Sequence, residues 1–174
     1  MPTTHSKYLI YLLIVAILPL GCQQENKSIK HTVAPEDVKN EKAFLTTIQQ
    51  PAGASSTHPF LPYPANYGIS QNQSNVEVVT LAPRLSSDDQ IAVQPIATLV
   101  LSEQGTSRPI ILATPIDTSL QLIQSTNYQQ FLVQHIGMRQ ILQDWFLYEK
   151  GLGKVELVDW KDERYAWKII KNEE

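Results

Sequence analysis

One cysteine, seven glycines and four histidines in 174 residues each close off a class of chemistry. A lone Cys22 excludes an intramolecular disulfide, CxxC redox chemistry, a thiolate zinc site and an iron–sulfur cluster. His5, His31, His58 and His135 are scattered, with no HExxH or HxH spacing, so a histidine-built metal site is not expected. The glycines form no GxGxxG, GxxxxGK(S/T) or GxSxG pattern, which leaves little material for a phosphate-cradling loop. Charge is sparse as well: 14 basic against 17 acidic side chains give −3, and only 18% of residues are charged. No basic stripe is present, so duplex nucleic-acid binding by counterion release is not expected. A hydrophobic content of 43% is enough for one domain with extensions.

The first apolar run lies outside that domain. Lys7 precedes an almost unbroken run from Tyr8 to Leu20. The run is shorter than the roughly 20 residues of a membrane-spanning helix and suits a secretory signal. Gly21-Cys22 at its end resembles the lipobox of a bacterial lipoprotein, although Pro19 stands where an aliphatic residue is usual. That resemblance implies a signal peptide over residues 1–21 and lipidation of Cys22, which would anchor the chain to a membrane. Gln23, in place of the aspartate associated with inner-membrane retention, points to the outer membrane facing the periplasm. An ordinary signal or signal-anchor with a chance cysteine is the alternative, and without a signal the protein is cytoplasmic.

Residues 22–57 are polar and read as a flexible linker, because they cannot bury enough apolar surface to offset chain entropy. Ala43 to Ile48 is the exception and predicts a strand or a short helical turn. From residue 58 to 174 the pattern is globular. The β-branched run Val76 to Leu81, the longer apolar run Ile91 to Leu101 and Pro109 to Thr114 predict three strands. Pro95 argues for an edge or a bulge in the second, and Gly105 for a hairpin turn between second and third. Thr126 with Gln129 has a capping-box spacing, which predicts a helix running to about Tyr148. Phe131, Leu132, His135, Met138, Leu142, Trp145 and Phe146 recur on its apolar face, with Gly137 as a weak point. A short strand over Val155–Val158 and a helix from about Lys161 to Lys171 complete an α+β chain.

Pro62-Tyr63-Pro64-Ala65-Asn66-Tyr67-Gly68 resembles the YPANYG signature of soluble, family I inorganic pyrophosphatases. Ile91 to Leu101 resembles the strand pair around that family's RPVGVL segment, and Leu142 to Trp160 its tail. The three blocks keep order and spacing across residues 58–171. The resemblance implies a small Greek-key β-barrel of the OB type with C-terminal helices packed against it. It also implies Mg²⁺-dependent hydrolysis of diphosphate to two phosphates. Mg²⁺ is a hard cation that takes carboxylate and water oxygens, and here the family's acidic positions are altered. Two of the DGDPxD aspartates fall on Asn72 and Ser74, and the third on Glu77. At the next hairpin Glu103 stands for one aspartate, and Ser107 or Arg108 for the other. The catalytic lysine falls on Pro109 or Ile110. Tyr63, Tyr67 and Tyr148 retain phosphate-binding positions, while Glu149 replaces a lysine and Lys150 is displaced by one.

These residues also have plain structural readings. The tyrosines suit packing at a barrel surface, and Glu77 suits a solvent-facing strand position. Asp88-Asp89 suits a turn, His135 a satisfied core position, and Trp145, Phe146, Trp160 and Trp167 core or interface packing. Three functions follow. The first is a catalytically inactive or weak pyrophosphatase-fold lipoprotein, serving as a binding or structural module without bound Mg²⁺. The second is an active diphosphatase with metal ligands drawn from Glu77, Glu103 and Asp88-Asp89. The third is an unrelated interaction module of the envelope, binding an unidentified protein or glycan.

Overall fold

The structure, a computed structural model, describes residues 42–56, 61–73 and 76–173. The signal region, Cys22, Ser74 and most of the expected linker lie outside the described residues. Six strands form one sheet: β1 (Phe44–Gln50), β2 (Asn66–Ser70), β3 (Glu77–Thr80), β4 (Gln90–Glu103), β5 (Thr106–Pro115) and β6 (Val155–Asp162). Their order is β1-β2-β3-β5-β4-β6, and an additional β1–β4 pairing closes the first five into a ring. All pairings are antiparallel except β3 with β5. This is the five-stranded Greek-key barrel of the OB type, with β6 added outside on β4. Helices α1 (Tyr128–Gln134), α2 (Ile136–Tyr148) and α3 (Glu163–Lys171) make the fold α+β.

The alternative left open at Ala43–Ile48 resolves as a strand. Phe44, Thr46 and Ile48 are fully buried, so the folded unit begins well before residue 58 and the stretch from 44 to 50 is sheet, not linker. The linker boundary at residue 57 overlooks it because a single apolar island barely shifts the polar composition of the whole stretch. Pro95 lies in a central strand, and it is accommodated by a register shift between Pro95 and Ala97. Having no N–H, it cannot donate to a ladder, and a bulge removes the demand. Gln104 and Gly105 both have positive φ, at 53° and 81°, which is the backbone of a tight two-residue hairpin.

The helix expected from 126 to 148 is two helices. Asn127 is the cap of α1, its side chain accepting from Gln130 N, and the Gln130 side chain accepts from Thr126 N at 2.9 Å. The cap therefore sits one residue further along than the Thr126–Gln129 spacing suggests, and the glutamine returns to Thr126, the residue before the cap, rather than to the cap itself. The chain breaks at His135 (φ −132°, ψ 37°), two residues before Gly137, the residue of lowest helix propensity in the stretch. His135 is only half-buried at this junction, against the ring of Phe131. The apolar period runs on unbroken across the junction, which is why it conceals the break. α3 begins at Glu163, two residues later than expected, because Asp162 caps it by accepting from Tyr165 N.

Each long strand buries both faces. On β5, Ile110 and Leu112 face a cluster with Phe131, Leu142, Trp145 and Phe146 of α1 and α2. Ile111 and Ala113 face a second cluster with Phe44 and Ile48 of β1 and with Ala166 and Ile170 of α3. Two-sided burial explains why these strands read as continuous apolar runs. The first cluster is the one that positions the candidate site.

Candidate functional site: a charged cleft at the end of an apolar layer

Three strands carry the first cluster along one face, and on each the next residue outward on that face is charged. Side chains alternate along a strand, so Val79 is followed by Glu77, Leu101 by Glu103 and Ile110 by Arg108. The strand register brings these charged residues together: Glu77 lies beside Ile110 across the parallel pair, and Arg108 opposite Leu101. The end of α2 adds Glu149, its C-terminal cap residue. Lys150 follows. The result is an open cleft of about 410 Å³ lined by Glu77, Glu103, Gln104, Thr106, Ser107, Arg108, Pro109 and Lys150.

Arg108 is its centre. The guanidinium is 14% exposed and lies against the Phe146 ring, 5.8 Å from the centroid. Its Nε donates to both Glu77 oxygens at 2.9 and 3.1 Å, and its Nη2 donates to Glu77 Oε2 at 2.8 Å. Its Nη1 donates to Glu149 Oε1 at 2.5 Å and stands 3.8 Å from Glu103. Lys150 Nζ donates to both Glu103 oxygens at 2.7 and 2.6 Å. Burial works against the Arg108 charge, but Glu77 and Glu149 outweigh it and hold the guanidinium above its ordinary range. For buried Glu149 the balance is opposite: burial pushes its carboxyl up, and the attraction of Arg108 only partly offsets this. The end of α2 is also where helix carbonyls concentrate negative charge. Lys150, by its hydrogen bond, draws the Glu103 carboxyl below the usual range.

The motif tyrosines do not line the cleft but pack against α2 beside it. Tyr63 stacks on Trp145 with centroids 4.7 Å apart and meets Tyr67 at 5.5 Å. Burial, followed by the proximity of Glu77, raises the Tyr67 hydroxyl far above its ordinary value. Tyr148 is exposed at the end of α2 and is not among the residues lining the cleft. Two motif residues are structural. Asn66, fully buried, accepts from Ala52 N and Leu85 N and donates to the carbonyls of Ala82 and Pro83 at 3.0 Å. Gly68 passes so close to β1 that a Cβ there would lie 2.1 Å from the Thr47 carbonyl oxygen.

Mg²⁺ does not fit this donor set. It needs oxygens at about 2.0–2.1 Å in near-octahedral array, whereas Glu77 and Glu103 give both oxygens to resident cations and Glu149 gives one. Asp88 and Asp89 offer no replacement. They lie at the opposite end of β4 from Glu103, where Asp89 is buried and accepts from Ser86 N at 2.8 Å. Among the described residues no group of three or more His, Cys, Asp or Glu is placed to hold a metal ion. Sequence reasoning places Glu77, Glu103 and Lys150 in the cleft but misses that Arg108 and Glu149 organise it. The available signal was that both reverse the charge expected at their positions.

The fold is that of the inorganic pyrophosphatases. The Thermus thermophilus inorganic pyrophosphatase superposes with a TM-score of 0.65 at 15% identity, over 83% of this chain and 95% of that one. An inorganic phosphatase of Anaplasma phagocytophilum gives 0.64 at 19% identity, over 76% and 91%. The Schistosoma japonicum inorganic pyrophosphatase gives 0.68 at 14%, over 83% and 69%. No family model matches the sequence, and no curated protein matches it.

Proposed function

We propose that the protein is a pyrophosphatase-fold lipoprotein of the bacterial cell envelope that does not hydrolyse diphosphate and acts as a binding or structural module. Cys22 carries the lipid in this reading, and the domain faces the periplasm from the outer membrane. One observation carries the loss of hydrolysis: every carboxylate of the cleft is bonded to Arg108 or Lys150. The two lining carboxylates, Glu77 and Glu103, are matched by Arg108 and Lys150, with buried Glu149 bonded to Arg108 behind them, so the cleft has no surplus of positive charge. A diphosphate anion would find neither an unpaired cation nor metal ions to neutralise it. Phosphoryl transfer depends on positioning and electrostatic stabilisation, so a site with this balance lacks the main source of rate.

The full-length protein in detergent, given millimolar Mg²⁺ and diphosphate, should release no phosphate above background. Turnover within the ordinary enzyme range of about 1–1,000 per second, abolished by Glu77→Gln, would show an active diphosphatase instead. Cys22→Ser should move the protein out of the membrane fraction. Retention as tight as that of the parent would remove the lipoprotein part of the reading.

A further inference from the structure

Helix α3 has two unlike faces. Ala166 and Ile170 are buried in one cluster with Phe44, Val93 and Ile111 of the barrel. On the opposite side Arg164, Lys168 and Lys171, at steps of four and three, form a single exposed stripe. No acidic residue interrupts it between positions 164 and 171. Among the described residues, the acids at its ends are Asp162, bonded to Arg164, Glu163, whose carboxylate accepts from Tyr128 N, and Glu173, 4.0 Å from Lys171. The helix dipole accounts for Lys168 and Lys171 in the last turn, but not for Arg164 in the first, where a positive charge is disfavoured. Trp167 borders the stripe half-buried, its ring edge-on to Phe44 at 6.0 Å and 6.0 Å from Lys171 Nζ.

The contact with Phe44 fixes where the chain enters the domain. Phe44 opens β1, and only residues 23–41 separate Lys42 from Cys22. A lipid on Cys22 therefore tethers the domain from the α3 side. Phe44 pairs with Val93, toward the opposite end of β4 from Glu103 and the charged cleft. We propose that the Arg164–Lys168–Lys171 stripe of α3, with Trp167 at its border, docks on an anionic phospholipid surface and turns the cleft away from the bilayer. The inference rests on the lipoprotein part of the proposed function and adds the face that meets the membrane. Phospholipid is the occupant that the position favours. The anchor brings a bilayer to this side of the domain, phosphate head groups complement three cations in a row, and a tryptophan beside them suits the head-group level. Each basic residue close to an anionic surface strengthens association about fivefold, so three reach roughly a hundredfold. Such a gain is modest for an untethered protein and ample for one whose anchor makes the encounter intramolecular.

The test reconstitutes the full-length protein, purified in detergent, into vesicles of phosphatidylcholine with or without phosphatidylglycerol. Floated vesicles are treated with a water-soluble amine-acylating reagent, and acylation of Lys168 is compared by mass spectrometry with that of Lys154. Lys154 precedes Val155, the partner of Glu103 at the cleft end, and serves as the internal reference. With phosphatidylglycerol the Lys168-to-Lys154 ratio should fall about fivefold or more and recover at high salt, as screening requires. Phosphatidylcholine alone should leave the ratio as it is in detergent. Arg164→Gln with Lys171→Gln, both at exposed positions, should keep the parent's thermal midpoint and restore Lys168 acylation in anionic vesicles. A ratio equal in the two vesicles, or unmoved by salt, would overturn the docking while leaving a floated protein in accord with the lipoprotein reading. Flotation with phosphatidylglycerol alone, abolished by the double substitution, would support the docking and remove the lipid anchor. A protein that floats with neither vesicle would overturn both.

Discussion

Two stretches of the same sheet face, one residue pair apart, behave as different materials. Val79, Leu101 and Ile110 lie under Trp145 and Phe146 and are nearly or wholly inaccessible. Glu77, Glu103 and Arg108, one step outward on the same strands, form a half-open ionic cluster. The apolar layer needs only shape and hydrophobicity, so many sequences can supply it. The cluster needs particular signs of charge facing each other. A fold shared at 14–19% identity therefore speaks for the backbone alone, and leaves the chemistry of the cluster to be read from its own residues.

The largest effect should come from the apolar side. Trp145 is 5% exposed, stacks on Tyr63, meets Phe146 edge-on and donates from Nε1 to the Leu61 carbonyl. Trp145→Ala should lower unfolding free energy by about 3–5 kcal/mol in denaturant titration. A loss under about 1 kcal/mol would mean that α2 contributes little to holding the barrel, and the contrast between layer and cluster would collapse.

This asymmetry also governs what the sequence makes legible. Strands β3, β4 and β5 announce themselves because two-sided burial demands β-branched and aliphatic runs, and the hairpin announces itself through Gly105. The break at His135 leaves only the weak mark of Gly137, since two short helices that bury the same side preserve a three- and four-residue period. The Arg108–Glu149 pair joins residues 41 positions apart, and no local pattern encodes such a meeting. Its only trace is a double reversal: an arginine near an expected aspartate and a glutamate at an expected lysine. Read singly, each looks like a lost function. Read together, they describe a compensated ion pair.

Asn66 sharpens the comparison from the middle, being polar yet as buried as the core. Its amide replaces backbone partners for four groups in the 52 and 82–85 turns. Asn66→Ala would leave several of these buried groups unsatisfied and should cost about 2–3 kcal/mol, again read by denaturant titration. Cost below that of any surface substitution would show that water enters and replaces the amide.

The smallest effect belongs to Glu149, and its sign separates cluster from core. Burial holds this carboxyl above the usual glutamate range, against the pull of Arg108. In the window just above that range, the folded protein keeps a proton that the unfolded chain has released. The stability from that proton is present below the window and lost as pH rises through it. Glu149→Gln retains an acceptor for Arg108 and has no proton to lose. As pH rises from the ordinary glutamate range toward neutrality, parent stability relative to this variant should therefore decline modestly. Urea midpoints of the two proteins across that range measure the difference directly. A parent that instead gains on the variant with rising pH would mean that Arg108 more than offsets the burial of this charge, and that the cluster stabilises the fold as the apolar layer does.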